Sequence, residues 1–253
     1  MRSMIQTPVI EVRPFKQIDI AGGVVIEGFP SVGLVTTIVA TYLISNLKLD
    51  QVAAIDSAWF PPLSMIYAGK PKFPGRIYAS TQHKIAVCLS EFTPPPYLDR
   101  FIAKTILAWA REQKCSLVIT PCGVPMLEER ASGRSEKLVI YGVGTTDLAR
   151  QKLMDSEIHT LEFGVVPGIS GALLNEGRWN NFDVIALLVE AYHDIPDAKA
   201  AAAIAEAIDD LLPQIRLDVS PLYREAEQIE SRLKTLREQA KPVQTQIPPA
   251  IYG

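Results

Sequence analysis

The residues best suited to chemistry in this chain are its last three, Ile251-Tyr252-Gly253. Tyrosine offers rigid aromatic area with a hydroxyl at its tip, isoleucine fills an apolar notch, and a terminal carboxylate pairs with a lysine. Together they make a plug for a socket on another protein. The other reading is an end that folds back on its own domain or stays disordered. Two glycine-rich turns suggest a different chemistry. Gly28-Phe29-Pro30-Ser31-Val32-Gly33 and Gly168-Ile169-Ser170-Gly171 each lead into an expected helix, and N–H groups at a helix start attract phosphate. Neither has the Lys-Ser/Thr of a P-loop or the full glycine set of a dinucleotide fingerprint. Glycine in a tight turn also answers a steric need alone.

Catalytic constellations do not assemble from the sequence. His83, His159 and His193 are far apart and none belongs to a metal-ligand pair. Glu190 and His193 share no helical face. Cys122 follows a strand in Thr120-Pro121-Cys122-Gly123, a position open to a nucleophile, yet with no histidine nearby in sequence a buried structural thiol is the simpler expectation. Arg76, Arg130, Arg134 and Arg178 fall in turns, where they either bind an anion or stand solvated. Phe60-Pro61-Pro62 and Phe92-Thr93-Pro94-Pro95-Pro96 end two strands and form either an apolar surface patch for subunit contact or rigid loops. No catalytic residue, metal or cofactor is expected.

The elements that would position these residues are those of an α/β body. The chain has 253 residues, 48 % hydrophobic and 21 % charged, enough for one large domain with a full core. Its net charge of −3 and the lack of a basic stripe argue against nucleic acid. Three cysteines in or beside apolar runs, an odd number, fit a reducing compartment. No apolar run reaches membrane-spanning length: Val32 to Leu47 is interrupted by Thr36, Thr37, Thr41 and Tyr42 and reads as a buried helix. Met1 to Gln6 has no signal-peptide core. A cytoplasmic protein without membrane contact is expected.

Strands are expected at Gly22–Gly28, Gln51–Ser57 and Ser116–Thr120, with further strands at Leu138–Val143 and Asp183–Glu190. Three apolar runs between Leu63 and Glu91 suit hairpin strands. Helices are expected from Ser31, a candidate N-cap, to Leu47, and at Tyr97–Gln113, Thr145–Met154 and Gly168–Arg178. The Ala-rich stretch Asp197–Leu212, capped by Asp197 or Asp194, makes a last helix of the body. Alternating strands and helices imply a mostly parallel sheet covered on both faces, made mixed by the hairpins.

Beyond the body, residues 1–219, the pattern changes. Leu222, Ala226, Ile229, Leu233 and Leu236 recur at spacings of 4, 3, 4 and 3, a heptad seam among charges that balance in sign. A 220–240 helix of this kind would run ~30 Å and gather copies of the chain into an oligomer. Pro242, Pro248 and Pro249 then make 241–253 an extended tail that carries the plug.

Several blocks of the sequence resemble the archaeal proteasome-assembly-chaperone family, of the proteasome assembly chaperone 2 type. They are Gly28-Phe29-Pro30-Ser31-Val32-Gly33-Leu34-Val35, Phe60-Pro61-Pro62, Pro74-Gly75-Arg76-Ile77-Tyr78, Ser90-Glu91-Phe92, the Gly168–Glu176 stretch and Leu187-Leu188-Val189-Glu190-Ala191. The resemblance implies a three-layer αβα sandwich with a mixed sheet, similar to purine nucleoside phosphorylases. It also implies homo-oligomers and no established catalytic residues. Some archaeal members carry a C-terminal hydrophobic-Tyr-any motif that inserts between α-subunits of the 20S proteasome, and Ile251, Tyr252 and Gly253 match it position by position. The implied function is a proteasome assembly chaperone or regulator. The alternatives are a small-molecule enzyme on a phosphorylase-like fold, or a structural homo-oligomer.

Overall fold

The computed structural model describes residues 7–125, 138–193, 195–222 and 235. Of the seam and the tail, Leu222 alone falls within these residues. Ala226, Ile229, Leu233, Leu236, Ile251, Tyr252 and Gly253 lie outside them, as do Arg130, Arg134 and Asp194.

Short apolar runs separated by turn residues become strands, and the longer mixed runs become helices. The order is β1 (Glu11–Pro14), β2 (Val24–Gly28), α1 (Val35–Asn46), β3 (Asp50–Asp56), β4 (Met65–Tyr67), β5 (Lys70–Lys72), β6 (Gly75–Ser80) and β7 (Ile85–Ser90). It continues with α2 (Asp99–Glu112), β8 (Leu117–Pro125), β9 (Ile140–Gly144), α3 (Asp147–Asp155), β10 (His159–Thr160), α4 (Gly168–Asn180), β11 (Val184–Ala191) and α5 (Ala198–Leu211). Nine strands form one sheet in the order β1-β3-β6-β7-β2-β8-β11-β9-β10. Its centre, β7-β2-β8-β11, is parallel, and β1, β3, β6 and β9 add antiparallel pairs. The mixed sheet with helices on both faces is the expected architecture.

Strand alternation divides the core. Val24, Ile26, Ile185, Leu187 and Val189 face the layer of α1, α3 and α5, whereas Val25, Val118 and Val184 face α2 and α4. The stretch read as a buried helix is one: α1 packs on the sheet beside the Ala-rich α5, within the same apolar cluster. Its buried threonines are satisfied, Thr36 Oγ1 donating to Pro121 O at 3.0 Å and Thr37 Oγ1 to Ser90 O at 3.4 Å. Asp197 caps α5, its Oδ1 accepting from Ala200 N–H at 3.0 Å.

Three details correct the sequence reading. Met65–Tyr67 does not join the main sheet but pairs with Lys70–Lys72 in a separate two-stranded ribbon. Phe60 and Phe92 do not make a surface patch; both are buried, with ring centroids 5.0 Å apart, and Phe92 meets Phe29 edge-on at 6.5 Å. Arg76 is neither solvated nor an open anion site. It is 3 % exposed, ion-paired with Glu91, and donates through Nη1 to Phe73 O at 2.8 Å. Arg178 is exposed.

Leu222 is fully buried in the core on the α1/α5 side, and the Tyr42 hydroxyl donates to Asp218 O just before it. The segment that follows the body is thus fastened at its first seam position to the body itself.

Candidate functional site at the carboxyl ends of the parallel strands

In an open α/β sheet, ligand chemistry concentrates where the parallel strands end. Both glycine-rich turns lie at this edge, and they are built differently. The first leaves β2, and its glycines answer close tertiary packing. A Cβ on Gly123 of β8 would stand 2.0 Å from Val32 O, and one on Gly33 would stand 2.9 Å from the Ala191 Cβ. Gly33 also has φ +63, which favours glycine. Ser31 does not cap the helix in the expected way. Its Oγ accepts from Thr36 N–H at 3.3 Å and from Gly123 N–H at 3.2 Å, tying the turn to the end of β8. Gly33 O accepts from Asp197 N–H at 2.8 Å.

The second turn opens α4 and meets a buried polar chain that sequence reasoning missed. Glu27 ends an otherwise apolar strand, yet it is 2 % exposed. Its Oε1 accepts from Phe29 N–H at 2.6 Å, and its Oε2 is bonded to Thr120 Oγ1 at 2.9 Å. Thr120, one position beyond the Ile26–Ile119 pair of the parallel ladder, lies 2.7 Å from Ser170 Oγ in the first turn of α4. Asp99, the first residue of α2, stands close by: its Oδ2 is 3.9 Å from where a Cβ on Gly168 would be.

Burial governs the charge here. Desolvation pushes the Glu27 carboxyl up to about 8, against the pull of the Phe29 N–H and the Thr120 hydroxyl, and the neighbouring Asp99 adds to the rise. Asp99 itself is raised to about 6 by burial. At neutral pH Glu27 is therefore mostly protonated. Thr120 Oγ1 donates to Glu27 Oε2 and shares a hydrogen bond with Ser170 Oγ. The arrangement is a buried acid linked through two hydroxyls to a helix start.

The thiols take no charge at neutral pH. Burial pushes Cys115 and Cys122 to about 11 and drives Cys88 up as well, so Cys122 is a weak nucleophile where it stands. Among the described residues, no group of three or more His, Cys, Asp and Glu is placed to hold a metal ion, and no helix is long and apolar enough to cross a membrane.

Relatives place this fold. Pyrococcus furiosus PbaA, an archaeal homolog of proteasome-assembly chaperone, superposes with a TM-score of 0.79 at 30 % identity, over 91 % of this chain and 97 % of PbaA. Pyrococcus furiosus PbaB, an archaeal proteasome activator, shares the fold with a TM-score of 0.72 at 24 % identity, over 90 % of this chain and 98 % of PbaB. An uncharacterized protein of Methanocaldococcus jannaschii is 29 % identical over 223 residues, 88 % of this chain and 89 % of its own. The pattern of the PAC2 family matches residues 25–237, and the chain belongs to that family.

Proposed function

We propose that this protein is a proteasome assembly chaperone or regulator in the cytoplasm that binds α-subunits of the 20S proteasome through Ile251, Tyr252 and Gly253. The observation that carries the reading is PAC2 membership over most of the chain together with the 30 % identity to PbaA, a homolog of proteasome-assembly chaperone. The hydrophobic-Tyr-any order of Ile251, Tyr252 and Gly253 supports the docking element, and Pro242, Pro248 and Pro249 before it support an extended tether. The body, 1–219, forms homo-oligomers with the help of Ala226, Ile229, Leu233 and Leu236 in the 220–240 segment. Several tethered tails then engage one ring, and effective concentration turns weak single contacts into stable attachment. Neither nucleic acid nor membrane takes part.

The test is co-sedimentation of the protein with assembled 20S particles and with isolated α-rings. The full chain is expected to travel with one or both. A chain ending at residue 250 is expected to stay behind, and equal co-sedimentation of the two forms would refute tail docking.

A further inference from the structure

Two sequence blocks that tail docking leaves unused, 74–78 and 90–92, meet in the fold. Antiparallel pairing of β6 with β7 sets Gly75 opposite Ser90 and Arg76 opposite Leu89. Leu89 belongs to the core on the α1 side and Tyr78 packs against that core, so strand alternation turns Arg76 to the same face. Glu91 directly follows β7 and pairs with Arg76 there, the side chains only 4 % exposed for Arg76 and 11 % for Glu91. Their surroundings include two tyrosines. Burial pushes the pKa of the Tyr78 hydroxyl up, Arg76 pulls against that rise, and Glu91 and Tyr67 of β4 add to it.

An arginine that meets a carboxylate side-on engages it with two parallel bonds, one from Nε and one from a terminal nitrogen. In this pair only one of the two forms, from Nη2 to Glu91 Oε1. Nη1 is taken by Phe73 O at 2.8 Å. Arg76 Nε and Glu91 Oε2, which would make the second bond, are both buried and have no hydrogen-bond partner among the described residues. One ion pair thus holds an unmet donor and an unmet acceptor. Buried polar atoms in folded proteins are almost always satisfied, by ordered water where the protein supplies no partner.

The chemistry of the two atoms selects their occupant. An anion at Nε would face the lone pairs of Oε2, and a cation at Oε2 would face the Nε–H. A neutral molecule that accepts one hydrogen bond and donates another satisfies both. Side chains so nearly covered admit only a small one. We infer that one water molecule bridges Arg76 Nε and Glu91 Oε2, accepting from the first and donating to the second. The bridge completes the ion pair. Through the Nη1 bond to Phe73 O, it helps to fix the chain where the β4–β5 ribbon leads into β6. The site is independent of the tail, so failure of tail docking leaves it standing.

Crystals of the full chain, grown once with chloride and once with bromide as the only halide, test it. A density peak within hydrogen-bond reach of both atoms is expected in each, with no anomalous bromide signal. Bromide at the site would make the occupant an anion. Nε bonded directly to Oε2 would close the pair with nothing between. Either result overturns the proposal, and so does the lack of any peak. In solution, the Arg76 Nε–H is expected to give a rotating-frame cross-peak to water, opposite in sign to that of proton exchange. The signal is assigned by its loss in Arg76→Lys. A cross-peak of the exchange sign, or none, would overturn the bridge as well.

Discussion

The two glycine-rich helix starts look alike in sequence and do different work in the fold. Gly28–Gly33 is closed by its surroundings: Gly123 and Gly33 let β8, the turn and the β11–α5 connection approach to backbone contact. Gly168–Gly171 is tight only against its own lead-in, a Cβ on Gly171 standing 2.0 Å from Val166 O, while Gly168 has nothing nearer than Asp99. The first turn is a structural joint. The second delivers Ser170 to a buried acid. Glycine spacing alone separates neither from a phosphate cradle; what distinguishes them is which backbone each must approach.

Substitutions sharpen that contrast. Gly123→Ala drives a Cβ into Val32 O and is expected to cost more than ~3 kcal/mol, whereas Gly168→Ala meets open space and pays only for its positive φ, ~1 kcal/mol. Equal losses in chemical denaturation would erase the distinction between joint and delivery. Ser31→Ala leaves the N–H groups of Thr36 and Gly123 without their acceptor and is expected to cost ~2 kcal/mol. Ser170→Ala, at the outer end of the hydrogen-bond line, is expected to cost ~1 kcal/mol.

Glu27 adds a pH signature that the first turn does not share. Its carboxyl titrates at about 8 in the folded protein against 4.5 ordinarily, so the folded state holds the extra proton between those values. Stability from this group is thus fully present below about 4.5 and is lost as pH rises through about 8. Asp99, raised from 3.8 to about 6, acts in the same direction over a lower range. Melting temperatures of Glu27→Gln are expected to decline less between pH ~5 and ~9 than those of the wild type, leaving the share of Asp99. Parallel declines would show that Glu27 is ionised throughout.

Much of the body was legible from residue order. The Val184–Val189 run could only be a central strand, Asp197 before an Ala-rich stretch marked a helix start, and the threonines that interrupt Val32–Leu47 pointed to a buried helix and not a membrane span. What escaped had weak local signals. Glu11-Val12-Arg13-Pro14 is mostly exposed and held as a strand by β3, and His159–Thr160 is too short to show a period. The polar line escaped for another reason. A glutamate inside Val-Val-Ile-Glu-Gly was a usable sign of a buried acid, but Thr120 and Ser170 meet it only through parallel register and helix docking. The prolines beside Phe60 and Phe92 mark loops and left a surface patch or a rigid loop open, whereas ring packing draws both rings inward.

Under the proposed function, Tyr252 anchors this protein to the 20S α-ring. Surface-based binding of wild type and Tyr252→Ala to immobilised 20S particles measures that anchor. One such anchor carries ~2 kcal/mol or more, so the variant is expected to bind at least ~30-fold more weakly at equal protein concentration. Unchanged affinity would contradict the account.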